Sequence, residues 1–185
     1  DYAQDIAGGT IAWQITSFSA FAAPWSSAQN TDPRTVLNSR DASHCWAPPS
    51  LPAQIGVRST QMIHPTHIII DTLATDPEGR LRAPKNMHLW GAVDGKTNTQ
   101  LFEKLPADAG KPKRPTIHKD VRWVLLGSPV YDIHNRTRAQ SFPLSHEFVD
   151  LGMTFGVFAL EIMDNWGAPP MSTCLSSVWI YGTPP

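Results

Sequence analysis

Two cysteines, Cys45 and Cys174, are the residues of this chain whose types and spacing most directly allow covalent chemistry. Cys45 opens Cys45-Trp46-Ala47-Pro48-Pro49. Cys174 follows the turn Asn165-Trp166-Gly167-Ala168-Pro169-Pro170 and starts a strand-like run. With no CxxC and no Cys/His spacing around either, the pair is a poor zinc site, which needs four clustered ligands. Two readings remain: a pair of buried thiols, or one long-range disulfide. In an oxidising compartment the disulfide prevails, because closing so long a loop stabilises by up to about 5 kcal/mol in the chain-entropy model.

Catalytic patterns are missing from the sequence. It has no GxSxG elbow, no glycine-rich phosphate loop and no HExxH. His64-Pro65-Thr66-His67 places two histidines three apart, but the proline argues against a helical ligand face, so they read as surface or strand-end histidines. Asp71, Asp76, Glu78, Asp94, Glu147, Asp150, Glu161 and Asp164 are scattered singly, and nothing in their spacing asks for a glycosidase pair. Seven tryptophans invite a sugar-binding reading, yet Trp46, Trp90, Trp123 and Trp179 lie in or beside expected strands, where they serve as core. The expectation is a protein that is not an enzyme.

The elements that hold these residues follow from the punctuation of the chain. Its 17 prolines and 12 glycines are spread so evenly that little room is left for long helices. Between them lie short runs rich in β-branched and aromatic residues, at 66–71, 87–90, 122–126, 155–163 and 175–181. In the fourth run Phe158, Leu160 and Ile162 alternate with Val157, Ala159 and Glu161, a period of two with one wholly apolar face. Short strands at this spacing predict an all-β sandwich or barrel.

Composition bounds the rest. A chain of 185 residues is one domain by default. Its 15 basic and 16 acidic side chains leave a net charge of −1, which gives no field for nucleic acid or an anionic membrane. No apolar run approaches the roughly 18 residues that span a bilayer, so any anchor is expected in segments outside this chain. The sequence starts at Asp1 with neither an initiator Met nor a leader-like stretch, as expected of an excised domain. Residues 107–119 read as a solvated basic loop. Asn135-Arg136-Thr137 is a glycosylation sequon, a weak pointer to a luminal setting.

In order along the chain, these pieces resemble the SUN domain, the luminal domain of inner-nuclear-membrane proteins. The resemblance begins at Asp1-Tyr2-Ala3 with Gly8-Gly9, and passes through Pro33-Arg34-Thr35-Val36-Leu37 to Cys45-Trp46-Ala47. It continues with Ile63-His64-Pro65-Thr66, Ala83-Pro84-Lys85 and Trp90-Gly91. It closes with Leu125-Leu126-Gly127, Glu161-Ile162, Asn165-Trp166-Gly167 and Thr173-Cys174. Each piece is weak alone; their order is specific.

The resemblance implies a compact antiparallel β-sandwich, a single domain over 1–185, that trimerises through upstream coiled coil. Its implied ligand is the C-terminal tail of a KASH protein in the perinuclear space, linking inner and outer nuclear membranes in the LINC complex. The tail would add as a strand to a protruding lid hairpin while a pocket captures its carboxylate. By position the lid is about 18–32, with Phe18, Phe21 and Trp25 toward the peptide; three core plugs in a loop are the plainer reading of the same residues. A loop at about 35–45 would hold a monovalent cation, potassium, through the carbonyls of Thr35, Asn38, Arg40 (or Asp41) and His44. The carboxylate pocket of animal relatives maps onto Thr72, Arg82, Ser172 and Ser176, with small hydroxyls and one guanidinium in place of phenols and an imidazole. Arg82 is expected to take the carboxylate, the plainer alternative being a surface arginine. Many relatives carry a cysteine near the position of Ser17; with only two cysteines, expected to pair with each other, no covalent link to the peptide is expected. Residues 92–124 are expected to be an inserted surface loop. The competing reading is a lectin-like sandwich that binds glycans.

Overall fold

The computed structural model of this chain describes residues 1–17, 32–38, 44–72, 76–105, 115–117 and 120–185. In chain order its elements are β1 (Thr10–Ile11), β2 (Ala53–Asp71), α1 (Pro77–Leu81), β3 (Met87–Val93), α2 (Gly95–Glu103), β4 (Arg122–Gly127), β5 (Gln140–Pro143), α3 (Glu147–Asp150), β6 (Phe155–Ile162) and β7 (Ser177–Thr183). Short 3-10 turns at Trp13–Ile15 and Pro33–Leu37 precede β2. The all-β expectation holds, and helices are as short as the proline spacing requires, α2 being the longest described at nine residues.

Every strand pairing is antiparallel. The first sheet runs β1-β2-β6-β3-β4, and β5 and β7 pair with β2 off that path. Strand β2 serves both layers. Its first part pairs with β6 from Ala53↔Ile162 to Arg58↔Val157, and its last part pairs with β7 up to Asp71↔Ser177 and with β5 up to Ile70↔Gln140. Only its end, 66–71, is expected from sequence; the strand begins at Ala53. Gly56 and Pro65 conceal the longer run. Gly56 is there because residues 12–15 lie on the strand: a Cβ would sit 2.4 Å from Ile15 Cγ1 and 2.7 Å from the Ala12 carbonyl. Pro65 falls where the register against β7 shifts, a position that tolerates a missing donor.

The main core lies between the layers. Ile55, Ile63, Ile68 and Ile70 of β2 pack with Leu89, Leu126, Phe155, Phe158 and Ile180, all at most 1% exposed. The far face of the first sheet is covered as well. There Ala12, Ile15, Trp90, Ala92, Trp123 and Ala159 form a second cluster. The wholly apolar face expected of β6, Phe158, Leu160 and Ile162, is buried in the main core, and its alternate residues Ala159 and Glu161 are buried too, at 0% and 4%. The second cluster corrects the expected surface loop at 92–124, whose ends belong to β3 and β4 and whose body carries α2. The fifth expected run starts later than its first residue: Leu175 forms an isolated bridge to Trp46, and β7 opens at Ser177.

Cys45 and Cys174 form a disulfide, with 5.4 Å between Cα atoms and 129 positions between them. It closes the ladder in which Trp46 and Leu175 exchange backbone hydrogen bonds at 2.8 and 3.0 Å. Reduction, or Cys45→Ser with Cys174→Ser, is expected to lower unfolding free energy by about 3–5 kcal/mol, because the cross-link restricts a very large unfolded loop. Urea denaturation of oxidised and reduced protein measures this; equal midpoints would mean that the bond does not stabilise the fold.

Candidate functional site

The disulfide ties the segment before β7 to Cys45, and the same segment lies along the end of α1, where Arg82 meets Ser172. Asn165 shapes the approach: its Nδ2 donates to the Met171 carbonyl and to Thr173 Oγ1, both at 3.0 Å, and its Oδ1 accepts the Gly167 amide. Trp166 anchors the turn through an indole N–H to the Tyr131 carbonyl at 2.8 Å, with Lys85 Nζ 4.5 Å above its ring. The amide of Cys174 then donates to the Arg82 carbonyl, and the amide of Ser176 to the Asp71 carbonyl.

Arg82, half-buried at the C-terminal end of α1, donates through Nη2 to Ser172 Oγ at 3.0 Å and through Nε to the Ser172 carbonyl at 3.4 Å. A guanidinium carries five N–H donors, so this contact fixes the fork and leaves other donors for a ligand. On the other side of the segment, Tyr131 donates its hydroxyl to the Arg138 carbonyl at 2.7 Å and accepts from Thr72 Oγ1 at 3.0 Å. Asp71 Oδ2 accepts from Arg138 Nη2 at 3.3 Å. Asp71 Oδ1 and Ser176 Oγ are buried and have no hydrogen-bond partner among the described residues. Burial pushes the Asp71 carboxyl above its usual range despite the opposing Arg138 charge, and burial likewise raises the Tyr131 phenol.

Of the four expected pocket positions, Arg82 and Ser172 are in direct contact, whereas Thr72 and Ser176 are buried and bond to Tyr131 and Asp71. Sequence reasoning missed Tyr131, Asp71 and Arg138. Tyr131 is buried with its hydroxyl engaged by Thr72 and the Arg138 carbonyl, and no local signal in the sequence marks it. Beside Ser172 a cavity of about 500 Å³ is walled by Pro48, Pro49, Leu51, Pro169 and Met171.

The lid residues Phe18, Phe21 and Trp25 lie outside the described residues, as does Arg40. Thr35 sits in the Pro33–Leu37 turn, where its carbonyl accepts the Asn38 amide at 3.1 Å. His44 is exposed, and the part of the expected cation loop between Asn38 and His44 lies outside the described residues. The residues just before the expected lid are described. Ser17 Oγ accepts the Gln54 amide at 2.9 Å, and the Ser17 amide donates to the Gln54 carbonyl at 2.7 Å. The buried Gln54 side chain also donates to the Ile15 and Ile117 carbonyls at 2.9 and 2.8 Å. Its cross-strand neighbour Glu161 accepts from Trp90 Nε1 at 3.2 Å, from the Thr116 amide at 2.9 Å and from the Thr116 hydroxyl. Glu161, read as one of several isolated acids, is instead the buried anchor of 115–117. The remaining expected positions are peripheral: His67 stacks on Tyr181, and Asn135 is exposed in a turn with Oδ1 accepting the Thr137 amide at 2.9 Å.

Residues 111–184 match the family model described as Sad1 / UNC-like C-terminal. No curated protein aligns significantly with the chain. Among solved structures, a family 32 carbohydrate-binding module from Streptococcus pneumoniae EndoD superposes with a TM-score of 0.60 at 14% identity, covering 96% of this chain and 97% of that one. The C-terminal domain of a chitobiase from Bacteroides fragilis gives 0.59 at 14%, covering 99% and 98%. The family 32 module of C. perfringens NanJ, in complex with galactose, gives 0.55 at 8%, covering 97% of each. At these identities the likeness establishes the β-sandwich architecture alone.

A carboxyl raised by burial has a definite pH signature. Between the ordinary value of 3.8 and the raised native value, the folded state binds more protons than the unfolded state, so Asp71 lowers stability as pH rises through that window. Asp71→Asn is expected to remove this fall, leaving the variant less pH-sensitive than the wild type from pH 3.8 upward. Unfolding free energies across that range test it, and parallel curves would show that Asp71 is not desolvated.

Proposed function

From the premise that residues 111–184 belong to the Sad1 / UNC-like family, the SUN domains, we propose that this chain is a luminal peptide-binding module. It takes the C-terminal tail of a KASH protein in the perinuclear space and so bridges the two nuclear membranes. The observation that carries this reading is Arg82, held by Ser172 on a segment that the disulfide fixes in place. A half-buried, pre-oriented guanidinium is the donor set that a terminal carboxylate requires. The apolar cavity beside Ser172 would receive side chains preceding the carboxylate.

Upstream of the carboxylate the tail adds as a strand to the lid, whose root is tied to β2 through Ser17 and Gln54. Assembly as a homotrimer through upstream coiled coil, a structural potassium ion in the 35–45 loop and a glycan on Asn135 belong to the same proposal. Glycan binding is the second reading. It is supported by the architecture shared with modules named for carbohydrate binding, and by a cavity of mixed polar and apolar lining on the far face of the first sheet.

Arg82→Ala is expected to weaken a synthetic KASH-tail peptide at least tenfold, the scale of one charge-assisted hydrogen bond. Arg82→Lys, which keeps charge but not the fork, should fall between. Isothermal titration gives the answer, and unchanged affinity for Arg82→Ala removes this residue from the site.

A further inference from the structure

The far face of the first sheet carries a second site, remote in the fold from the Arg82 segment. A cavity of about 450 Å³ lies between the Trp13–Ile15 turn and the start of β4. That volume is within the range of small-molecule pockets. Its floor is apolar, formed by Ile15, Ala92, Val93, Val157 and the buried Trp123. Its rim is polar and balanced, with Arg58 and Arg122 set against Asp94 and Asp120, and with Gln14 and Thr99 adding an amide and a hydroxyl.

We propose that this cavity binds a neutral saccharide. Two carboxylates disfavour an anion, two guanidiniums disfavour a cation, and the charged rim disfavours a wholly apolar guest. A polyol suits the arrangement because each hydroxyl both donates and accepts, and can therefore bridge a guanidinium to a carboxylate. The C–H face of a sugar ring would lie on the valines and the indole.

The polar groups are already held. Arg122 is steadied by Glu103 at 3.1 Å and lies 5.7 Å from the Phe102 ring centroid. Asp94 Oδ1 accepts the Gly95 amide at 2.7 Å, which leaves Oδ2 for a ligand. Asp120 has a φ of 57°, in the left-handed region where a non-glycine residue is uncommon and where functional sites are over-represented. This assignment rests on the glycan reading and is independent of peptide capture.

The test is titration of the oxidised chain with galactose, glucose, mannose and N-acetylglucosamine, read by tryptophan fluorescence and by saturation-transfer NMR. Arg58→Ala and Asp120→Asn are measured beside the wild type, the second because asparagine tolerates the left-handed backbone. At least one sugar is expected to bind the wild type, with each variant at least tenfold weaker and of unchanged thermal midpoint. Binding of no sugar by the wild type would overturn both the site and the glycan reading. A sugar bound equally by all three proteins would overturn the site alone.

Discussion

Strand β2 is a single run of 19 residues that belongs to two sheets, and the rest of the molecule is arranged around that fact. Its first part makes the first sheet with β1 and β6, and its last part makes the second layer with β5 and β7. The apolar residues on it, from Ile55 to Ile70, face both partners of the main core. Each of its ends carries a buried polar network. Gln54, near the start, ties down Ile15, Ser17 and Ile117 on the far face. Asp71, at the end, is joined to Ser176 and Arg138 in the candidate site.

The candidate site shows how a small β-domain makes a rigid binding edge from irregular chain. Loops carry function because they are free of ladder constraints, but that freedom must be removed for tight recognition. Here the Cys45–Cys174 bond, the Asn165 amide and the Trp166 indole remove it in succession. Arg82, at the end of α1, then bonds to Ser172 on a segment whose backbone is already held. Similarity in architecture to carbohydrate-binding modules does not decide the ligand, because one sandwich can carry unrelated sites at different edges. The Arg82 segment and the Asp120 cavity have different chemistry, one a fixed cation for an anion, the other a balanced rim over an apolar floor.

The fold was legible where sequence carried periodic apolar residues between turn residues. Strands β3, β4 and β6 lie where alternation and β-branched residues put them, and the proline spacing predicted short helices. What was not legible came from tertiary packing. Gly56 reads as a breaker until Ile15 is seen lying on it, and the far face of β6 reads as half-polar until Thr116 is seen on Glu161. In the site, Thr72, Arg82, Ser172 and Ser176 were reached through resemblance to a family. Tyr131, Asp71 and Arg138 were not, since their roles depend on a long-range contact between β2 and the 131–138 turn that no local pattern encodes.

The central claim is that a fixed guanidinium recognises the free end of a polypeptide. Two synthetic KASH-tail peptides of one sequence, one ending in a free carboxylate and one in an amide, test it most directly when titrated into the oxidised protein. The account predicts that the free acid binds at least tenfold more tightly, because only it presents an anion to the Arg82 fork. Equal affinity for acid and amide would contradict it.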